Sequence, residues 1–128
     1  MFRVKKNLKS QIKLKKSKFL GFNFYIESKE DIDKQLDILK AEFKDASHLV
    51  YAYRLKEQGV LKEKFFNDKE PANSAGQPLL YLLQKKEILN CLLVVVRYFG
   101  GVKLGVGGLI RAYTQVAQEV LVNNLEKD

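Results

Sequence analysis

The sequence of 128 residues contains one cysteine, Cys91, so no disulfide can form within the chain. His48 is the only histidine, which leaves too few Cys and His side chains for a zinc site built from them. There are only two prolines, Pro71 and Pro78, and there is no proline-rich linker, repeat or low-complexity stretch. No apolar run approaches the roughly 20 residues that a spanning helix needs. The start, Met1-Phe2-Arg3-Val4-Lys5-Lys6, lacks the apolar core of a secretory signal. A cytoplasmic protein without membrane contact is expected, with neither a cofactor nor a resident metal. The composition, 46% hydrophobic and 30% charged, is that of a folded chain, and the length suits one domain over 1–128.

Acidic residues are missing from the first 26 positions, which hold eight basic ones: Arg3, Lys5, Lys6, Lys9, Lys13, Lys15, Lys16 and Lys18. From Glu27 onward the 15 remaining basic residues balance the 15 acids, so this segment carries the whole net charge of +8. Such asymmetry can mark an arm or strand that meets phosphate, in nucleic acid or at a membrane surface. A solvated edge strand, charged against edge-to-edge pairing, has the same composition. No aromatic residue interrupts these lysines before Phe19, which argues against base stacking along the arm.

Residues 2–26 read as a hairpin or two successive strands, with the β-prone aromatic run Phe19–Ile26 as the second. Ser28 is a good helix N-cap, and Ile32, Leu36, Leu39 and Phe43 then share one helical face. Residues 47–55 alternate as a strand, Gly59 marks a turn, and 60–66 form a partner strand. A turn-rich loop at 67–76 precedes a short helix with Pro78 in its first turn. Cys91–Val96 is unbroken apolar sequence, as in a central strand covered on both faces. A glycine loop, 100–108, leads to a last helix from about Leu109 to Asn123, with Leu109, Tyr113, Val116, Ala117 and Val120 inward. The order β, β, α, β, β, α, β, α gives an α+β fold: a two-layer α/β sandwich with a mostly antiparallel or mixed sheet and its helices on one face.

Several residues could carry chemistry. A strand, a glycine loop and a helix start together aim backbone N–H groups at one point, which suits phosphate. Arg97, Gly100, Gly101, Lys103, Gly105, Gly107, Gly108 and Arg111 are the candidate phosphate ligands. The Walker and dinucleotide patterns are absent, because Val106-Gly107 stands where Lys-Ser/Thr should be and Ile110 where a third glycine is needed. The same glycines would also serve a tight helix–sheet connection. A second, polar cluster comprises His48, Arg54, Asp68 and Glu70, where two loop carboxylates could hold Mg²⁺ against a phosphate or work with His48 in proton transfer. Acids in a loop are more often solvated or capping groups, a strand histidine is more often a packed residue than a catalyst, and Cys91 reads as a buried hydrophobe. The basic arm supplies Lys5, Lys6, Lys9, Lys13, Lys15, Lys16 and Lys18 as candidate nucleic-acid ligands.

The stretch from Val94 to Tyr113, Val-Val-Val-Arg-Tyr-Phe-Gly-Gly-Val-Lys-Leu-Gly-Val-Gly-Gly-Leu-Ile-Arg-Ala-Tyr, closely resembles the signature of the YigZ/IMPACT N-terminal family. Ser17-Lys18-Phe19, Ala46-Ser47-His48 with Tyr51-Ala52-Tyr53-Arg54, and Asp68-Lys69-Glu70-Pro71 with Ala75-Gly76-Gln77-Pro78 match further family motifs in the right order. The resemblance implies an α/β sandwich like domain IV of elongation factor G and the galactokinase–mevalonate kinase fold. It also implies a link to translation regulation. Many bacterial members carry a second, ferredoxin-like domain, which is not expected here. Lys69 and Asn73 replace glycines usual in the family, and Ser74 a threonine. Asn73 suits a left-handed turn, whereas Lys69 implies strain or a different turn. The residues favour binding over catalysis: a module that contacts RNA, the ribosome or a translation-associated protein. The alternative is an enzyme acting on a phosphorylated small molecule in a His/Asp/Glu/Arg cleft beside the glycine loop.

Overall fold

The computed structural model describes residues 1–128, with ten elements in chain order. These are β1 (Phe2–Val4), β2 (Lys9–Leu14), β3 (Ser17–Tyr25), α1 (Lys29–Glu42), β4 (His48–Glu57), β5 (Val60–Phe66), α2 (Gly76–Lys85), β6 (Cys91–Tyr98), α3 (Gly105–Leu121) and β7 (Leu125–Lys127). A five-stranded sheet runs β2-β3-β6-β4-β5, antiparallel throughout. This is the expected α+β class. No helix is long and apolar enough to cross a membrane.

The apolar run of β6 takes the centre of the sheet and is buried from Cys91 to Arg97. Successive side chains of a strand point to opposite faces. Cys91, Leu93 and Val95 therefore join Leu79, Leu83, Tyr113 and Val116 of α2 and α3 in one core. Leu92, Val94 and Val96 join Ile32, Leu36 and Leu39 of α1 in a second core. The expectation of helices on one face is thereby corrected. The sheet is sandwiched, with α1 alone on one side, because β3, β4 and β6 are apolar on both faces.

Local signals explain the element ends. The Ser28 hydroxyl accepts the Asp31 N–H at 3.2 Å and caps α1 as expected. The β2–β3 hairpin turns on Lys15 and Lys16, both left-handed at φ 47° and 68°. The β4–β5 hairpin turns on Gln58 and Gly59 in the same way. Such two-residue turns match the twist of the flanking strands.

Two features depart from the sequence reading. α3 begins at Gly105, four residues before the expected start, so Gly105, Gly107 and Gly108 belong to its first turn. Packing of Leu109, Ala112 and Tyr113 against the sheet outweighs the poor helix propensity of those glycines. The first strand also stands apart from the β2–β3 hairpin: β1 pairs with β7, which joins the two ends of the sequence.

Candidate functional site

The 67–75 loop is held by its own polar side chains. Asn67 donates to the carbonyls of Glu70 and Pro71 and accepts the Gly76 N–H at 2.7 Å, while Ser74 donates to the Pro71 carbonyl. Asp68, Lys69 and Asn73 are left-handed, at φ 44°, 67° and 64°. Asn73 thus keeps the turn as expected, and Lys69 keeps it under strain. This frame delivers Glu70 into the protein interior, where it is 7% exposed.

There Glu70 meets Arg97 of β6, itself 4% exposed. One guanidinium nitrogen, Nη1, donates to both Glu70 oxygens at 2.8 and 3.0 Å, and Nη2 donates to Ser17 Oγ at 3.2 Å. The Tyr113 hydroxyl of α3 donates to Glu70 Oε2. Burial, and then the Glu70 charge, push the Tyr113 hydroxyl far up, so it stays a donor. The guanidinium lies 5.4 Å from the ring centres of both Phe19 and Phe99. A buried charge is tolerated only when paired and hydrogen-bonded; both Nη atoms of Arg97 meet that condition, while its buried Nε has no hydrogen-bond partner.

His48 borders the cluster. Its Nδ1 lies 2.8 Å from the Asp68 carbonyl, which can only accept, so Nδ1 carries the proton. Nε2 sits 3.5 Å from Glu70 Oε1. Together His48, Glu70, Arg97, Phe99, Lys103 and the start of α3 line a cavity of about 400 Å³. No side chain caps α3, so its positive end is free there.

The two loop carboxylates face different places. Asp68 accepts the Leu49 N–H at 2.6 Å and borders a separate pocket with Lys40 and Lys44. Glu70 is committed to Arg97 and Tyr113. They are therefore not presented to one cation together. Arg54 also stands apart, six residues along β4 from His48, or roughly 20 Å at strand rise. It bonds Glu63 at 2.8 Å and the Ile88 carbonyl at 3.2 Å. Arg111 is exposed on α3 beside Gly107. A larger cavity of about 670 Å³ lies between α2 and α3, bordered by Lys85 and Lys86 and away from these residues.

Lys5, Lys6, Lys9, Lys13, Lys15 and Lys16 are exposed, and Lys18 is half-buried. The hairpin tip meets the glycine loop at one point. Gly100 lies so close under Lys16 that a Cβ there would overlap the Lys16 carbonyl, and the Gly100 N–H donates to Ser17 Oγ at 3.3 Å. Gly101, at φ 89°, then turns the loop outward. Lys15, Lys16 and Lys103 thus belong to one end of the sheet. Gly100 serves close packing, and Gly107 and Gly108 serve the helix start.

Four members of the cluster were not singled out from the sequence as site residues: Ser17, Phe19, Phe99 and Tyr113. Tyr113 fell on the inner helix face, and a buried tyrosine hydroxyl needs a partner. That signal, set beside the unassigned carboxylate of Glu70, could have joined them. Nothing in the sequence marks Ser17 or Phe99 as a partner of Arg97.

With this geometry in hand, known proteins offer a comparison. The family model described as the Impact N-terminal domain matches residues 15–121. The chain is 35% identical over 120 residues to the IMPACT family member YvyE of Bacillus subtilis, covering 94% of this chain and 55% of that protein. It is 35% identical over 101 residues to the IMPACT family member YigZ of Escherichia coli, covering 78% and 50%. It thus spans about half the length of these relatives. A crystal structure of a hypothetical protein superposes with a TM-score of 0.87 at 27% identity, over 99% of this chain and 62% of that one. The two-domain translational regulator Yih1 superposes with a TM-score of 0.53 at 25% identity, over 95% and 46%. The motif that builds the Arg97 strand, the glycine loop and the start of α3 lies within the matched residues, and the chain belongs to the IMPACT N-terminal domain family.

Proposed function

We propose that this domain is a binding module in the control of translation, and that it grips the phosphate backbone of single-stranded RNA with the tip of the β2–β3 hairpin and the adjoining glycine loop. The translation link rests on likeness to Yih1. The observation that carries the RNA contact is the seating of Lys16 on Gly100, which joins the basic hairpin tip to the glycine loop that carries Lys103. Lysines on an extended hairpin track a phosphate chain as point charges and impose no sequence preference. Binding to a single-stranded oligoribonucleotide, followed by fluorescence anisotropy across a salt series, tests this. The affinity should fall steeply with salt, and each lysine lost should flatten the log–log slope by roughly 0.7. The double variant Lys15→Asn with Lys16→Asn removes two charges while suiting the left-handed turn. Unchanged affinity and slope in that variant would overturn the reading.

A second reading has its own observation. His48 is held by the Asp68 carbonyl with Nε2 left beside a cavity that also offers Lys103 and the free end of α3. That arrangement suits the phosphate of a small molecule. Titration with a phosphomonoester series, followed by heat of binding, distinguishes it: binding here should persist in the Lys15→Asn with Lys16→Asn variant, whose changes lie outside this cavity.

A further inference from the structure

β5 closes the sheet on the side opposite the basic hairpin, and its outer edge is paired with nothing. All seven of its residues are exposed, and Val60, Leu61, Phe65 and Phe66 keep between 39% and 56% of their surface in water. Val60 and Phe66 lie on the face of Lys62 and Lys64, and Leu61 and Phe65 on the other, so each face of the free edge carries two exposed apolar side chains. The two-residue turn at Gln58 and Gly59 makes Glu57 and Val60 a hydrogen-bonded pair. The alternation then turns the backbones of Val60, Lys62, Lys64 and Phe66 toward β4. Leu61, Glu63 and Phe65 present their N–H and C=O groups outward.

The side chains restrict what can pair there. A second copy would have to lie antiparallel about a two-fold axis through one residue. An axis at Glu63 sets Glu63 against itself and Lys62 against Lys64. An axis at Lys62 or Lys64 sets a lysine against itself. Like charges directly opposite are destabilising, and the remaining axes, at Leu61 or Phe65, pair only three residues of each strand, so β5 pairs poorly with its own copy. On the other face the Glu63 carboxylate is already taken by Arg54 at 2.8 Å and Gln84 at 3.1 Å, leaving Leu61 and Phe65 as the available apolar groups.

We infer that the free edge of β5 takes up an extended segment of another protein in which acidic and apolar side chains alternate. The acids would lie opposite Lys64 and opposite Lys62, whose ammonium also meets Glu57 at 3.2 Å, and the apolar residues beside Leu61 and Phe65, with backbone bonds to Leu61, Glu63 and Phe65. Strand addition of this kind draws affinity from the main chain and specificity from alternate side chains.

The test uses the full chain and a capped heptapeptide of alternating valine and glutamate, with a control peptide of the same composition in blocks. Amide hydrogen exchange followed by NMR should show slowing at Leu61, Glu63 and Phe65 with the alternating peptide alone. Leu61→Pro removes an outward N–H, which an edge strand tolerates, and should weaken binding roughly tenfold. Lys64→Glu should reverse the preference toward a peptide with lysine in place of glutamate. Equal binding of the two control peptides, slowing confined to the lysine-rich hairpin, or no binding at all would overturn the inference. So would protection of β5 that rises with protein concentration alone, which would make the occupant a second copy.

Discussion

Arg97 and Glu70 set the terms for every residue around them, because neither charge has water to fall back on. Glu70→Gln keeps the shape and removes the charge that faces Arg97. A buried charge left without its partner costs about 3–5 kcal/mol, and chemical denaturation should show a loss of that size. The milder Tyr113→Phe removes one donor to Glu70 Oε2 and should cost about 1–3 kcal/mol. A loss below half a kilocalorie in both variants would mean that the cluster is solvated. Strain at Lys69 predicts the opposite sign. A left-handed lysine costs about 1–2 kcal/mol, partly offset by the greater chain entropy of glycine. Lys69→Gly should therefore stabilise by up to about 1 kcal/mol, read as a higher denaturant midpoint.

The elements meet where no single element predicts it. Gly100→Ala places a methyl group against the Lys16 carbonyl and must push the hairpin tip from the glycine loop. Overpacking of this kind costs about 1–3 kcal/mol, and the amide shifts of residues 14–18 should move with those of 99–104. Ordinary loop behaviour, with shifts confined to the neighbours of residue 100, would count against the contact. The existence of most elements was legible in the sequence for local reasons. Ser28 caps α1, Ile32 to Phe43 mark its buried face, and the apolar run of β6 announces a strand covered twice. The β1–β7 pairing was not legible, since its partners lie at the two ends of the sequence. The face chosen by α1 was not legible either, because periodicity says which side of a helix is buried but not against which side of a sheet. At the site, the family motifs brought His48, Glu70 and Arg97 together. Local pattern could not show that Asp68 turns away to the Leu49 N–H.

For the whole molecule, the core between the sheet and helices α2 and α3 buries two groups that ionise only at alkaline pH, and this gives stability a pH limit. Burial pushes the Cys91 thiol from its ordinary 9.0 up to about 12, and the Tyr113 hydroxyl is pushed up from 10.0. The unfolded chain releases these protons first, so it binds fewer protons than the folded one as pH rises. Stability is then full below about pH 9 and falls above it, by about 1.4 kcal/mol per pH unit for each such group. Melting curves of Cys91→Ala should fall less steeply than the parent between pH 9 and 12, and parallel curves would refute the assignment. The charge pattern works at the same scale. The whole formal excess of +8 is drawn from the first 18 residues, and the fold seats its hairpin tip on Gly100 of the loop that carries Lys103. That juxtaposition is tested most directly by mapping backbone amide shifts on addition of a single-stranded oligoribonucleotide. The account predicts that residues 13–18 and 99–106 shift together, with one apparent affinity that weakens with salt. Shifts confined to β1, α1 or the α2–α3 groove, with both of those segments silent, would contradict it.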